Sequence, residues 1–407
     1  MKLLALTYGT EGDTRPLAAL SHALQLAGHK VHLLADGHTL GSAHELGVPA
    51  SGLSGDIRAL FAEHGPKGAQ ATANALVRLT NAHAANWMTQ TLAAARECDG
   101  ILTAGLAGFT GLSVAESLGI PVIGTGMIPL TPSRTFPSPF LPAGLVPHWL
   151  NRASLKLTNQ LVWLSLARAL NRARIQLAGL PACKSLPDGH PMLYGISPTL
   201  LPRPEDWPAN AHLCGQWRMP QVDFQPPAEL ARFLAAGPAP LYIGFGSMAG
   251  LDTRQIITQL ATALAGRRAL FYPGWSDGEG INLPANILQV GPLPHDWLFP
   301  QTAAVIHHGG SGTTHSATRA GKPSIVIPFA GDQPFWAARL ATLGIAPPAI
   351  KHARLDAAVF AAAIRFVEQP QVLDKAAQLG AQMATEDGLG TAVALIERMM
   401  RVTGSGR

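Results

Sequence analysis

Charge is what this chain has least of. Only 14% of its 407 residues are charged, against 47% that are apolar. Such a balance argues for large buried cores and against disorder. Cysteine is scarce too. Cys98, Cys183 and Cys214 are too far apart for a zinc motif or a disulfide framework, so reduced thiols and a cytoplasmic setting are expected. No apolar run reaches the length of about 18 residues that reads as a membrane-crossing helix. A secretory leader is also not expected: the opening MKLLALTYG breaks at Gly9 and better suits a first buried strand. Neither a lysine and arginine run nor an aromatic-interleaved basic patch occurs, which argues against a nucleic-acid partner. The net charge of +5 and pI near 9.3 leave two readings open. One is an ordinary basic enzyme of bacterial type; the other is attraction to phosphate ligands or peripheral contact with an anionic inner-membrane face.

The length allows two domains. Strand-like Leu3–Tyr8, Val31–Ala35, Ile101–Ala104 and Val122–Gly124 alternate with helical segments such as Leu17–Gly28. A second series begins at Leu241–Phe245 and continues through Ile287–Val290, Ala303–Ile306 and Ser324–Pro328. Alternation of this kind predicts parallel sheets covered by helices on both faces. Repeated prolines between residues 200 and 227 mark a linker. The expected division is 1–215, a linker at 216–228, 229–386, and a C-terminal helix in 387–407 that packs back on the first domain. Residues 55–95 and 127–180 read as helical or irregular insertions, either an apolar cleft wall or plain sheet cover.

The most informative stretch is Pro294–Gln333. Its strand runs into His307-His308-Gly-Gly-Ser-Gly-Thr-Thr314, then a helix, a second strand, and a loop ending Asp332-Gln333. A glycine-rich turn opening a helix presents N–H groups at the positive end of a helix dipole. Gly310, Ser311, Gly312, Thr313 and Thr314 therefore suit a diphosphate, with one histidine, preferably His308, donating to it. Asp332 and Gln333 suit sugar hydroxyls. Ser247, at the end of the strand YIGFGS, adds a second phosphate contact. The pattern fits a nucleotide-diphospho-sugar, with its base against Val290–Leu293; Trp297 reads as structural. Near the start, Gly9-Thr-Glu-Gly12-Asp13-Thr-Arg-Pro16 forms another strand–loop–helix junction. Asp13 there is either an N-cap for a helix opening at Pro16 or, with such a pocket opposite, a general base.

The series GTEGDTRP, YIGFGSM, PHDWLFP, HHGGSGTT, RAGKPSIVIPFAGDQPFW and GLGTA resembles the inverting GT-B glycosyltransferases of family 1, on the sterol 3β-glucosyltransferase and antibiotic glycosyltransferase branch. The resemblance implies an α/β fold of two Rossmann-like, doubly wound parallel-sheet domains facing across a cleft. It implies transfer of glucose from UDP-glucose, with inversion and without metal or bound cofactor, to a hydroxyl of a hydrophobic acceptor: a sterol, terpenoid, polyketide or lipid. Donor contacts would come from Gly12 and the second-domain residues named above. Plant-type relatives pair a loop histidine with an acid about a hundred residues on; here Asp13 fills the first position and Gly105 lies near the second, so Asp13 would act alone. The eukaryotic sterol enzymes carry extra N-terminal membrane-binding domains, so a bacterial relative is expected. Phe61, Trp87, Met127, Phe136, Phe140 and Trp149, with Leu145, would wall the acceptor pocket. Other readings are a TDP-deoxysugar or UDP-GlcNAc donor, a sugar-nucleotide epimerase, and a non-catalytic partner.

Overall fold

The structure, a computed structural model, describes residues 1–64, 68–142, 144–221, 223–246, 253–274, 283–351 and 356–404. The chain opens with β1 (Lys2–Leu6), α1 (Glu11–Leu26), β2 (Lys30–Asp36), α2 (Gly41–Glu45) and β3 (Ala50–Leu53). Then come α3 (Ile57–His64), α4 (Ala69–Ala95), β4 (Gly100–Thr103), α5 (Gly108–Leu118) and β5 (Val122–Gly126). The first unit continues with α6 (Asn151–Leu177), β6 (Met192–Tyr194) and β7 (Ala211–Leu213). Its seven strands are parallel in the order β3-β2-β1-β4-β5-β6-β7. Strand β1 is buried on both faces from Leu3 onward, the pattern of a covered parallel strand rather than an alternating one.

The second unit contains α7 (Ala228–Ala235), β8 (Leu241–Gly244), α8 (Thr253–Leu264), β9 (Ala269–Tyr272), β10 (Ile287–Gln289) and α9 (His295–Leu298). It continues with β11 (Val305–His307), α10 (Ser311–Arg319), β12 (Ser324–Val326), α11 (Gln333–Thr342), α12 (Ala357–Val367) and α13 (Pro370–Ala384). Five parallel strands run β10-β9-β8-β11-β12. In each sheet the strand order reverses at one pair, β1 with β4 and β8 with β11. Crevices open beyond the carboxyl ends of such pairs, because neighbouring connections leave on opposite faces.

Strand β7 lies within the proline-marked stretch that reads as a linker from residue 200. Its three residues pair with β6, so that part of the stretch belongs to the first sheet. The last helix, α14 (Gly388–Gly404), crosses back: Ala392, Ile396 and Met400 are buried with Leu20, Leu24 and Leu33 of the first unit. His29 Nε2 lies 3.0 Å from Glu397 Oε1 at the edge of this contact. The crossing is tight where Gly215, at φ +101°, meets Gly388; a Cβ on Gly215 would lie 2.9 Å from the Gly388 Cα. Ile396 is fully buried, so Ile396→Ala should cost roughly 2–5 kcal/mol through lost contacts and a residual cavity. Urea unfolding measures this; an unchanged midpoint would mean that α14 is not anchored in the first core.

Candidate active site

The glycine-rich turn is built around two histidines with different surroundings. His307 ends β11 fully buried, and its Nδ1 accepts the Gly309 N–H at 3.1 Å. Burial holds it well below the usual imidazole range. His308 borders the cleft, packed between two glycines. A Cβ on Gly246 would lie 3.0 Å from its Cε1, and one on Gly310 2.4 Å from its Nε2. Burial pushes His308 down to about 4, so at neutral pH it is uncharged and carries one N–H donor. Gly309 takes φ +92° and brings its backbone against Val326 and Gln333, a conformation that favours glycine.

Gly310 caps α10 in an extended conformation with no side-chain cap. The leading N–H groups of the helix thus lack the usual side-chain acceptor, and Ser311, Gly312 and Thr313 border the cleft with them. One turn on, His315 fixes this helix to the first unit. Its Nδ1 donates to Ser311 O at 2.7 Å, and its Nε2 accepts the Ser197 N–H at 3.1 Å. Gln216 Nε2 donates to Ser316 Oγ at 3.1 Å, and Arg218 pairs with Asp296 at 3.1 Å.

Across the cleft, α1 begins at Glu11, earlier than the sequence suggests, and Pro16 lies inside it. Thr10 is the N-cap: its Oγ1 accepts the Gly12 N–H at 3.2 Å, while Asp13 Oδ2 accepts the Thr10 N–H at 2.9 Å. Asp13 is therefore the returning member of a capping box, neither a loop residue nor the N-cap. A Cβ on Gly9 would lie 2.1 Å from Asp13 Oδ2, so glycine leaves room for that carboxylate. Burial raises Asp13 to about 6; the Thr10 N–H works against the rise, and the charge of Asp332 adds to it. Asp332 is likewise raised to about 6 by burial, opposed by the bond from Trp336 Nε1 to its Oδ2 at 2.6 Å. The two carboxylates, one from each unit, face the same space. Gly105 has φ +58°, and a Cβ there would lie 2.6 Å from Tyr8 O, so no acidic side chain fits beside Asp13 at that position.

The cleft between the units encloses about 2700 Å³. It is bordered by Gly12, Asp13, Leu293, His308, Gly310, Ser311, Gly312, Thr313, Asp332 and Gln333. Gln333 Oε1 also accepts the N–H groups of Phe329 at 2.7 Å and Ala330 at 3.1 Å, holding the loop that carries Asp332. Thr314 does not border the cleft; it is fully buried in the first turn of α10. Val290 packs with Leu230 and Tyr242 in a core instead. Ser247 lies outside the described residues. Phe61, Met127 and Phe140 border the cleft, whereas the four other expected wall residues do not. Trp87 is fully buried, donating from Nε1 to Ser54 O at 2.7 Å, with its ring 4.4 Å from that of Tyr8. Phe136 is buried edge-on against Phe335 at 5.4 Å. Trp149 is 81% exposed and Leu145 63%. Helical spacing alone does not tell a cleft-facing ring from a core or outward one.

Sequence reasoning passed over His295, Arg15, Tyr272 and Gln301, all at the cleft. His295 stacks on Phe299 at 4.2 Å and is pushed down to about 4 by burial, then by the nearby Arg15 and His308. Its signal was the Pro-His step opening PHDWLFP.

Residues 275–396 match the family described as "Erythromycin biosynthesis protein CIII-like, C-terminal domain". The chain is 30% identical to the sterol 3-beta-glucosyltransferase UGT80B1 of Arabidopsis thaliana, over 98% of this chain and 68% of that protein. It is 31% identical to a sterol 3-beta-glucosyltransferase of Neurospora crassa over 98% of its own length, but spans only 27% of that longer protein. Among solved structures, the glycosyltransferase VinC in complex with DTDP superposes with a TM-score of 0.68 at 20% identity, over 100% of both chains; this likeness shows the GT-B fold.

Gly310→Ala should drive His308 from its place while leaving the backbone at φ −61° unstrained. Binding of a nucleoside diphosphate, measured by calorimetry, should weaken about tenfold, the scale of one charge-assisted hydrogen bond, with a melting temperature lower by only about 2–4 °C. Unchanged affinity would mean that this turn is not a diphosphate site.

Proposed function

The chain belongs to family 1 of the glycosyltransferases, beside its sterol and antibiotic branches, and from that premise we propose that it moves glucose from UDP-glucose, with inversion, to a hydroxyl of a hydrophobic acceptor. The observation that carries this reading is the opposition of Asp13 to the uncapped start of α10 across one cleft. The acceptor O–H gives its proton to Asp13. Its oxygen forms a bond to the anomeric carbon, and the bond from that carbon to the diphosphate breaks with its electron pair on UDP. A carboxylate near 6 is ionised at neutral pH and still basic enough to take the proton. The charge gathering on UDP meets the N–H groups of Ser311, Gly312 and Thr313 and the His308 donor, fixed before the reaction starts. Asp332 and the Gln333 amide would orient the sugar, and Phe61, Met127 and Phe140 would hold the apolar acceptor. A thymidine-diphosphate donor is the second reading, supported by the DTDP complex of VinC.

Release of UDP, measured with mass spectrometry of products across sterols, terpenoids, polyketides and phenols, tests this directly. Acceptor-dependent UDP release with a hexose-bearing product is expected; turnover only with TDP-sugars would replace the donor. Asp13→Asn should lower kcat roughly 10²–10⁴-fold with UDP affinity unchanged. Full activity in that variant would sink the base assignment. Because Asp13 works ionised, kcat/KM should fall as pH drops through about 6. Asp332→Asn removes a neighbouring negative charge, so the remaining activity should lose its acid limb at a lower pH.

A further inference from the structure

Acidic side chains are missing from one large part of the molecule. Residues 117–187 contain seven lysines and arginines and no aspartate or glutamate. Because the whole chain carries +5, everything outside that segment sums to −2. Helix α6 lies within it, and α4, which packs along α6 with Asn81 donating to Ser165 O at 2.9 Å, also has no acidic residue. The paired long helices thus present a surface of one sign. One of the seven cations, Arg174, is buried and paired with Glu116 at 2.9 Å; Arg134, Arg152, Lys156, Arg168, Arg172 and Lys184 are exposed.

The same segment holds the exposed apolar groups. Among the described residues, nine of the eleven large apolar side chains that face solvent lie between residues 140 and 177. On α6, Leu155, Trp163, Leu166 and Leu170 turn inward. On the opposite side, spaced by four, three and four residues, Leu157, Leu161, Leu164 and Arg168 face outward. The three leucines are 60%, 57% and 60% exposed. A helix facing water normally puts polar residues there. Trp149 projects just before the helix starts.

We propose that this outer face of α6, with Trp149 and its exposed arginines, docks the protein on an anionic lipid bilayer. An apolar stripe on a helix whose own charged side chains are all cationic matches a membrane interface, where leucine and tryptophan enter the acyl boundary and arginine meets lipid phosphate. A second copy of the chain fits poorly, since self-pairing would bring two acid-free surfaces together. No helix among the described residues is long and apolar enough to cross a membrane, so the contact lies on the surface. Phe140 and Val162 belong both to the exposed group and to the cleft border, so the docked face adjoins the cleft mouth. This surface stands on charge and exposure alone and does not depend on which sugar or acceptor the cleft takes.

Flotation with phosphatidylcholine vesicles containing about 30% phosphatidylglycerol tests it, with no donor or acceptor present. The protein should float with these vesicles and not with pure phosphatidylcholine, and binding should fall at least tenfold in about 0.5 M NaCl. Leu157→Gln/Leu161→Gln/Leu164→Gln should lose binding at least tenfold, with melting temperature and UDP affinity unchanged. Arg168→Glu/Arg172→Glu should lose about as much, near fivefold for each cation removed. Three outcomes overturn the proposal: no flotation of the wild type, flotation of the triple variant equal to wild type, or light scattering showing a dimer that the triple variant dissolves.

Discussion

An α-helix leaves its first N–H groups without partners, and most helices satisfy some of them with a side chain at the cap. Helix α10 has glycine at that place and no side-chain cap, so its positive end stays available at the floor of the cleft. The surrounding sequence is shaped by this. Gly309 turns through a positive φ to bring the helix start against β12, and Gly246 and Gly310 leave only enough room for the His308 ring between them. Burial keeps that ring neutral, so it adds a donor without adding a charge that would have to be buried.

The two units are held together around this helix by hydrogen bonds, some of them from charged groups. His315 reaches back to Ser311 and across to Ser197. Glu386 accepts from Ser197 Oγ and Thr199 Oγ1, each at 2.7 Å, and Arg339 donates to Leu200 O. Burial pushes His315 down to about 4, below its ordinary value of about 6.5. The stability tied to its neutral form is therefore complete above that ordinary value and is lost as pH falls toward about 4. Over the neutral range, the His315 contact between the two units therefore keeps one protonation state.

Strands with continuous apolar runs, such as LLAL in β1 and YIG in β8, were legible because a strand covered on both faces needs nothing else. Strands β3, β6 and β7 were not, and β9 was missed although it reads ALFY. β3 reads ASGL, and β6 and β7 have three residues each; their place comes from pairing with a neighbour rather than from their own pattern. The turn from His307 to Thr313 was legible because glycine spacing reports backbone geometry directly. Thr314 was not separable from Thr313, since only the helix phase turns one inward. The cleft wall was the least legible part. Phe61, Trp87 and Trp149 are alike as apolar residues in helical surroundings, yet one borders the cleft, one is core and one faces outward. That difference comes from how α3, α4 and α6 pack around the sheet, which no local pattern records.

On the proposed reading, Asp13 takes the acceptor proton while Asp332, the second carboxylate in the cleft, holds the sugar, so one displacement is enough and no covalent sugar intermediate forms. The most direct test is the anomeric configuration of the product, read by NMR after transfer from α-linked UDP-glucose. The account predicts the β-glycoside. An α-glycoside would mean retention, and would contradict the assignment of Asp13 as a base acting in a single step.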